Sequence, residues 1–180
     1  SGSALLSEEQ RNSLTGELSF DRINLRQLGE ALGIGNQFQG NASGRVHFSA
    51  PTQDPAPVAA SLNADGSCIV TRGSLGDIDL GEAVRRNTGK PTPLGGATRF
   101  DRLSGAFRVS PAGYRFSQLS LTAGLLQGNG YLNVSRNQSL SGLIAVSIGR
   151  NQGLVPIAIS GELVKPLLHT VSQASGAQNE

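Results

Sequence analysis

The chain is predicted to be mainly β with short α-helices: a curved antiparallel β-sheet, ending in a C-terminal five-strand meander, that forms a half-barrel or trough partly covered by two or three short helices. Three observations predict it. Apolar residues recur at period two from Thr98 to Leu168. The turn-forming breaks between these runs fall roughly every 12 to 14 residues. Helical spacing is confined to a few short segments before Pro93.

At 180 residues the chain is long enough for one domain with a core, or for two small lobes sharing one sheet. Its 24 glycines, 4% aromatics and absence of Trp and Met favour tight turns and an aliphatic core over an aromatic-lined ligand cage. Lys+Arg 15 against Asp+Glu 13 gives +2, with the basic residues scattered and Arg85-Arg86 the only adjacent pair. Nucleic acid is therefore not an expected partner, despite a pI near 9.1. A single cysteine, Cys68, excludes an internal disulfide and reads as a buried small hydrophobe. No apolar run reaches the roughly 18 residues that span a bilayer. The opening Ser1-Gly2-Ser3 reads as a cloning remnant on a fragment.

Residues 1–12 and 169–180 are polar and read as disordered ends, flanking a mixed strand and short-helix part (13–96) and the meander (97–168), which share one sheet. Leu14 to Phe20 alternates as a half-buried strand. Leu25, Leu28, Ala31 and Leu32 recur at helical spacing, with Asn24 as N-cap and Gly33 as stop. Gly40 to Ala50 alternates again, a weak helix follows at Val58 to Asn63, and Asp65-Gly66 reads as a turn. Cys68 to Leu75 reads as a strand. Asp79 and Glu82 then have capping-box spacing for a helix from Leu80 to Arg86. Gly89 to Gly96, with Pro91 and Pro93, is the joint. In the meander the alternation slips at Gln118, from Tyr114 and Phe116 to Leu119 and Leu121, where a bulge keeps all four on one face.

A meander with one aliphatic face needs a cover, because burial of that face is its main source of stability. Two readings stand: an ordinary two-layer domain whose helices pack on the sheet, or a trough only partly closed by protein, lined to accept acyl chains. The row at issue is Phe107, Val109, Leu121, Leu132, Ile144, Val146, Ile148, Ile157 and Ile159, lipid-facing or core. Glycines 105, 128, 130, 142 and 161, at or near inward positions, either bend the sheet or make room for large neighbours.

Several short motifs run in one order: Gly73-Ser-Leu-Gly-Asp-Ile-Asp-Leu80, Thr98-Arg-Phe-Asp-Arg-Leu103, Leu119-Ser-Leu121, Gly128-Asn-Gly-Tyr-Leu-Asn133, Ile157-Ala-Ile-Ser-Gly161 and Pro166. In that order, over about Leu14 to Pro166, the chain resembles the C-terminal region of the AsmA family, related to the TamB- and YhdP-type proteins. The resemblance implies a periplasmic module of a protein anchored in the inner membrane, through an anchor this chain lacks, and engaged in outer-membrane biogenesis. The partners it implies are phospholipid or another acyl-chain lipid and other envelope proteins. The alternative is a scaffold that influences outer-membrane protein assembly through an exposed strand edge.

No catalytic, cofactor or metal site is expected, and no enzymatic activity. His47 and His169 lie far apart in sequence and read as surface residues, and there is no Cys-x-x-Cys. Asp77 and Asp79 alternate as in a cation loop, but Gly81 takes the place of the third donor, so capping by Asp79 is the better reading. There is no Gly-x-Ser-x-Gly elbow. The triplets at Asn41, Asn133 and Asn137 matter only in a eukaryotic secretory setting.

Overall fold

Among the described residues, twelve elements follow one another as β1 (Gly2–Ser7), β2 (Ser13–Asn24), α1 (Leu25–Leu32), β3 (Phe38–Pro51), β4 (Asn63–Gly76), α2 (Leu80–Arg86), β5 (Ala97–Ser110), β6 (Gly113–Ala123), β7 (Leu126–Ser135), β8 (Leu140–Ile148), β9 (Val155–Glu162) and β10 (Lys165–Thr170). They come from a computed structural model that describes residues 2–7, 13–32, 38–51, 61–86, 95–149 and 153–171. The ten strands form one antiparallel sheet in sequence order, so each pairs only with its chain neighbours.

The mainly β class and the meander stand, with three differences of detail. The stretch expected as five strands holds six, β5 to β10, because a turn at Leu163-Val164 doubles the chain back and carries the last strand to Thr170, two residues into the expected tail. Residues 2–7, expected within a disordered end, form β1 in register with Thr15 to Phe20. Polar flanks hid an Ala4-Leu5-Leu6 core that continues the sheet. Asp65-Gly66, expected as a turn, lies inside β4 opposite His47 and Val46. Glycine is there for packing, not for reversal. Of the expected helix at 58–63, residues 58–60 lie outside the described ones and Asn63 already belongs to β4; Gly33 and most of the joint at 89–96 also lie outside the described residues.

Residues directly opposite one another in a ladder share a face, so the register traces rows of inward side chains across the sheet. One row runs Leu18, Val46, Gly66, Phe107, Phe116, Leu132, Gly142, Ile159 and Leu168. A neighbouring one runs Gly16, Phe48, Ala64, Val109, Tyr114, Val134 and Leu140. The apolar face is therefore continuous from β2 to β10. The slip at Gln118 is a bulge: Gln118 has φ +51° and both flanking ladders shift register beside it. Arg22 and Arg72, at φ +52° and +51°, mark further irregularities in β2 and β4.

The glycines divide the same way. A Cβ on Gly44 would lie 2.9 Å from the ring of Phe20, one on Gly66 2.9 Å from Phe107, and one on Gly105 2.8 Å from Leu119. Bulky side chains of adjacent strands thus lie across glycine backbone, the packing used to protect glycines in designed sheets. Of the five glycines expected at inward positions, Gly105, Gly128 and Gly142 make room for the side chains of Leu119, Ile144 and Leu132, whereas Gly130 faces the Leu143 carbonyl and Gly161 has φ +86°.

α2 sets the curvature. It touches β5, β8, β9 and β10. In a flat sheet β5 and β10 would stand about 24 Å apart at roughly 4.8 Å per strand, more than twice a helix diameter of about 10 Å. The sheet must curl around the helix, with the apolar face concave. The core lies there: Leu80 and Ala83 of α2 are buried with Phe100, Leu121, Val146, Ile157, Ile159 and Leu168.

Candidate functional site

Because both helices sit on the concave face, the residues that hold them decide how much of it stays open. α2 starts where it was expected. The Asp79 Oδ1 accepts the Glu82 N–H at 2.8 Å, the N-cap half of a capping box. The reciprocal half is missing, since Glu82 turns to Arg85 and Arg86 at 2.9 and 2.7 Å. Arg86 and then Arg85 hold the Glu82 carboxyl below its ordinary range. Thr98 fixes the helix to β5: its hydroxyl accepts the Leu80 N–H at 2.9 Å and donates to the Ile78 carbonyl at 2.7 Å. α1 is capped by Asn24, whose Oδ1 accepts the N–H groups of Arg26 and Gln27 at 3.0 and 3.2 Å, and it packs on β3 and β2. Leu25 reaches the core cluster while Leu28 is exposed.

The expected apolar row is thus divided. Leu121, Val146, Ile157 and Ile159 are buried, and Leu132 and Ile144 pack partly buried against them. Ile148 is half-buried at the end of β8. Phe107 and Val109 are also half-buried but stand outside the core cluster, over β5. They belong to a less buried part of the face, over β2 to β6: Leu18 is 37% exposed and Tyr114 50%, with Val46 and Phe48 half-buried between them and Phe116 packed against the core. The large side chains of the face are thus least buried over β2 to β6, whereas the small Ala42, Ala50 and Ala64 there are buried.

Cys68 sits in this surface, half-buried, opposite Gly44 and Gly105. Burial pushes its thiol up, so it is a poor nucleophile. Asp21, on the bulge of β2, accepts the Ser43 hydroxyl at 2.8 Å. That bond, then Arg22, holds its carboxyl below the ordinary range.

The opposite, outward face carries the charge. Across β2 to β5 runs a groove of about 720 Å³ lined both by the outward Glu17, His47, Asp65 and Arg108 and by Phe48, Ala64 and Val109 of the apolar row. Glu17 is engaged by Arg45 at 2.8 Å and lies 3.8 Å from His47 Nδ1. The two carboxylates, one histidine and one arginine of the groove give it no net excess of positive charge to hold an anion. His47 is exposed and His169 half-buried. Among the described residues no group of three His, Cys, Asp or Glu side chains is placed to hold a metal, and no helix is long and apolar enough to cross a membrane. Sequence reasoning found the apolar face. It missed that several arginines of β4 to β6 share the outward face, which follows only from the pairing of the strands.

No family model, curated protein or solved structure matches the chain.

Proposed function

We propose that this chain is a periplasmic module of an inner-membrane-anchored, AsmA-like protein that takes part in outer-membrane biogenesis and phospholipid transport. It contacts lipid through the apolar face of its curved sheet. One observation carries the reading: the part of that face over β2 to β6, with Leu18, Phe48, Val109 and Tyr114, is less buried than the rest while continuous with a buried core. An aliphatic surface of this kind, left in water, costs about 25 cal/mol per Å², and an acyl chain laid along it recovers that cost.

The test is native mass spectrometry of gently purified protein, with a fluorescent fatty-acid probe in solution. Co-purified phospholipid is expected. Leu18→Glu and Tyr114→Glu, at positions exposed enough to tolerate the change, are expected to weaken probe binding at least about tenfold. Absence of bound lipid, or probe binding indifferent to both substitutions, rules the reading out.

A second reading, docking of another envelope protein by strand addition, is favoured by the open ladder, whose end strands are β1 and β10. Of the two edges β1 suits it better. The Val171 N–H donates to the Pro156 carbonyl at 2.8 Å, so residues 165, 167 and 169 turn their amides towards β9 while positions 166, 168 and 170 face the open edge. One of those three is Pro166, which has no N–H to offer.

A further inference from the structure

We infer that the outward face of β4 to β6 is a docking surface for an anionic phospholipid bilayer. Arg72, Arg99, Arg102, Arg108 and Arg115 are all exposed on these three strands. Among the described residues none of the five has a carboxylate within 4.0 Å, whereas Arg22, Arg26, Arg45, Arg85 and Arg86 each do. The unpaired arginines are thus gathered on adjacent strands and the paired ones lie elsewhere.

Their placement is costly to the fold. Arg108 and Arg115 are directly opposite in the β5–β6 ladder, and like charges in that position repel. Two carboxylates share the region. Asp65 opposes Arg108 from β4, without an ion pair, and Asp101 accepts the Gly124 N–H at 3.0 Å. Neither neutralises the group, and an array of phosphates from outside would.

What lies beside the arginines chooses among anionic partners. On β7 to β9 the outward face carries no charged residue between Gln127 and Ser160, and it presents Tyr131, 48% exposed, directly opposite Leu143, with Ala158 beyond. A bilayer surface offers phosphates to the arginines and a less polar layer beneath them to the tyrosine and the aliphatics. Nucleic acid offers phosphates, and bases to stack on Tyr131, but no apolar layer for Leu143 and Ala158. Since the sheet curls around α2, the outward face is its convex side, and β4 to β6 occupy the middle of the ten-strand order, where a convex surface meets a flat one. The inference stands apart from the acyl-binding reading, being carried by the opposite face.

Sedimentation of the full chain with vesicles tests it. Binding is expected to phosphatidylglycerol–phosphatidylethanolamine vesicles, to be lost at high salt, and to be weak on phosphatidylcholine alone. The double substitution Arg108→Gln, Arg115→Gln is expected to weaken binding about 25-fold, at about fivefold per arginine. The same variant is expected to melt no lower than the parent, because a repulsive pair has gone, and to bind the soluble fatty-acid probe unchanged. Equal binding to phosphatidylcholine, binding indifferent to the double substitution, or retention of an oligonucleotide without vesicle binding would each overturn it.

Discussion

Leu80→Ala is expected to lower the unfolding free energy by about 3 kcal/mol, read from chemical denaturation. Leu80 is fully buried, at 0% exposure, and is the largest side chain of α2 in the core. The helix has seven residues and buries only two of them, Leu80 and Ala83, so apart from these only the partly buried Val84 sets an apolar side chain against the core. Truncation removes the transfer energy of the lost methyl groups and leaves a cavity that the rigid strands around it close poorly. The effect should also spread, because α2 is the contact between β5 and the distant β8 to β10. A loss under about 1 kcal/mol would mean that the curl of the sheet does not depend on the helix.

Gly66→Val is the second large effect, expected at more than about 2 kcal/mol. A Cβ at Gly66 would fall 2.2 Å from the Arg45 carbonyl oxygen and 2.9 Å from the Phe107 ring. The oxygen belongs to the neighbouring strand and is held by the ladder, so it gives way only if β3 and β4 part. Gly128→Ala is the internal control. Its nearest obstacles are the side chains of Ile144 at 3.3 Å and Val146 at 3.7 Å, and a cost within about 1 kcal/mol is expected. If both variants melt alike, close backbone approach is not what glycine provides in β4.

Much of this was legible in the residue string. Period two fixes strands wherever one face is buried, and the slip at Gln118 could be placed because a bulge is the one way to keep Phe116 and Leu119 on one side. α2 was legible from its cap, since Asp79 must satisfy an amide that has no other partner. Cross-strand facts were not. That Gly66 lies under Phe107 depends on a register set by several turns, and the same local signal, Asp65-Gly66, reads as a turn when its partners are unknown. The arginines are spread over more than forty positions of sequence and meet only through pairing. The pair at 108 and 115 was within reach: a two-residue turn at Pro111-Ala112 puts those positions opposite each other. β1 was hidden because six residues between polar flanks look like a tail until an edge is there to receive them.

The strict sequence order of the strands bears on how the chain folds. Six of the nine connections are two to six residues long and the other three 11 to 20, so the entropic toll of assembly is modest for a sheet of this size, and order can spread from strand to strand in a line, as in repeat arrays. A purely linear ladder of this kind has little reason to melt all at once. Its outer strands can fray while the middle holds. α2 breaks that linearity by tying β5 to strands three to five places along the chain, and it is the feature that makes the C-terminal half cooperative while leaving β1 to β3 free to respond to whatever lies against them.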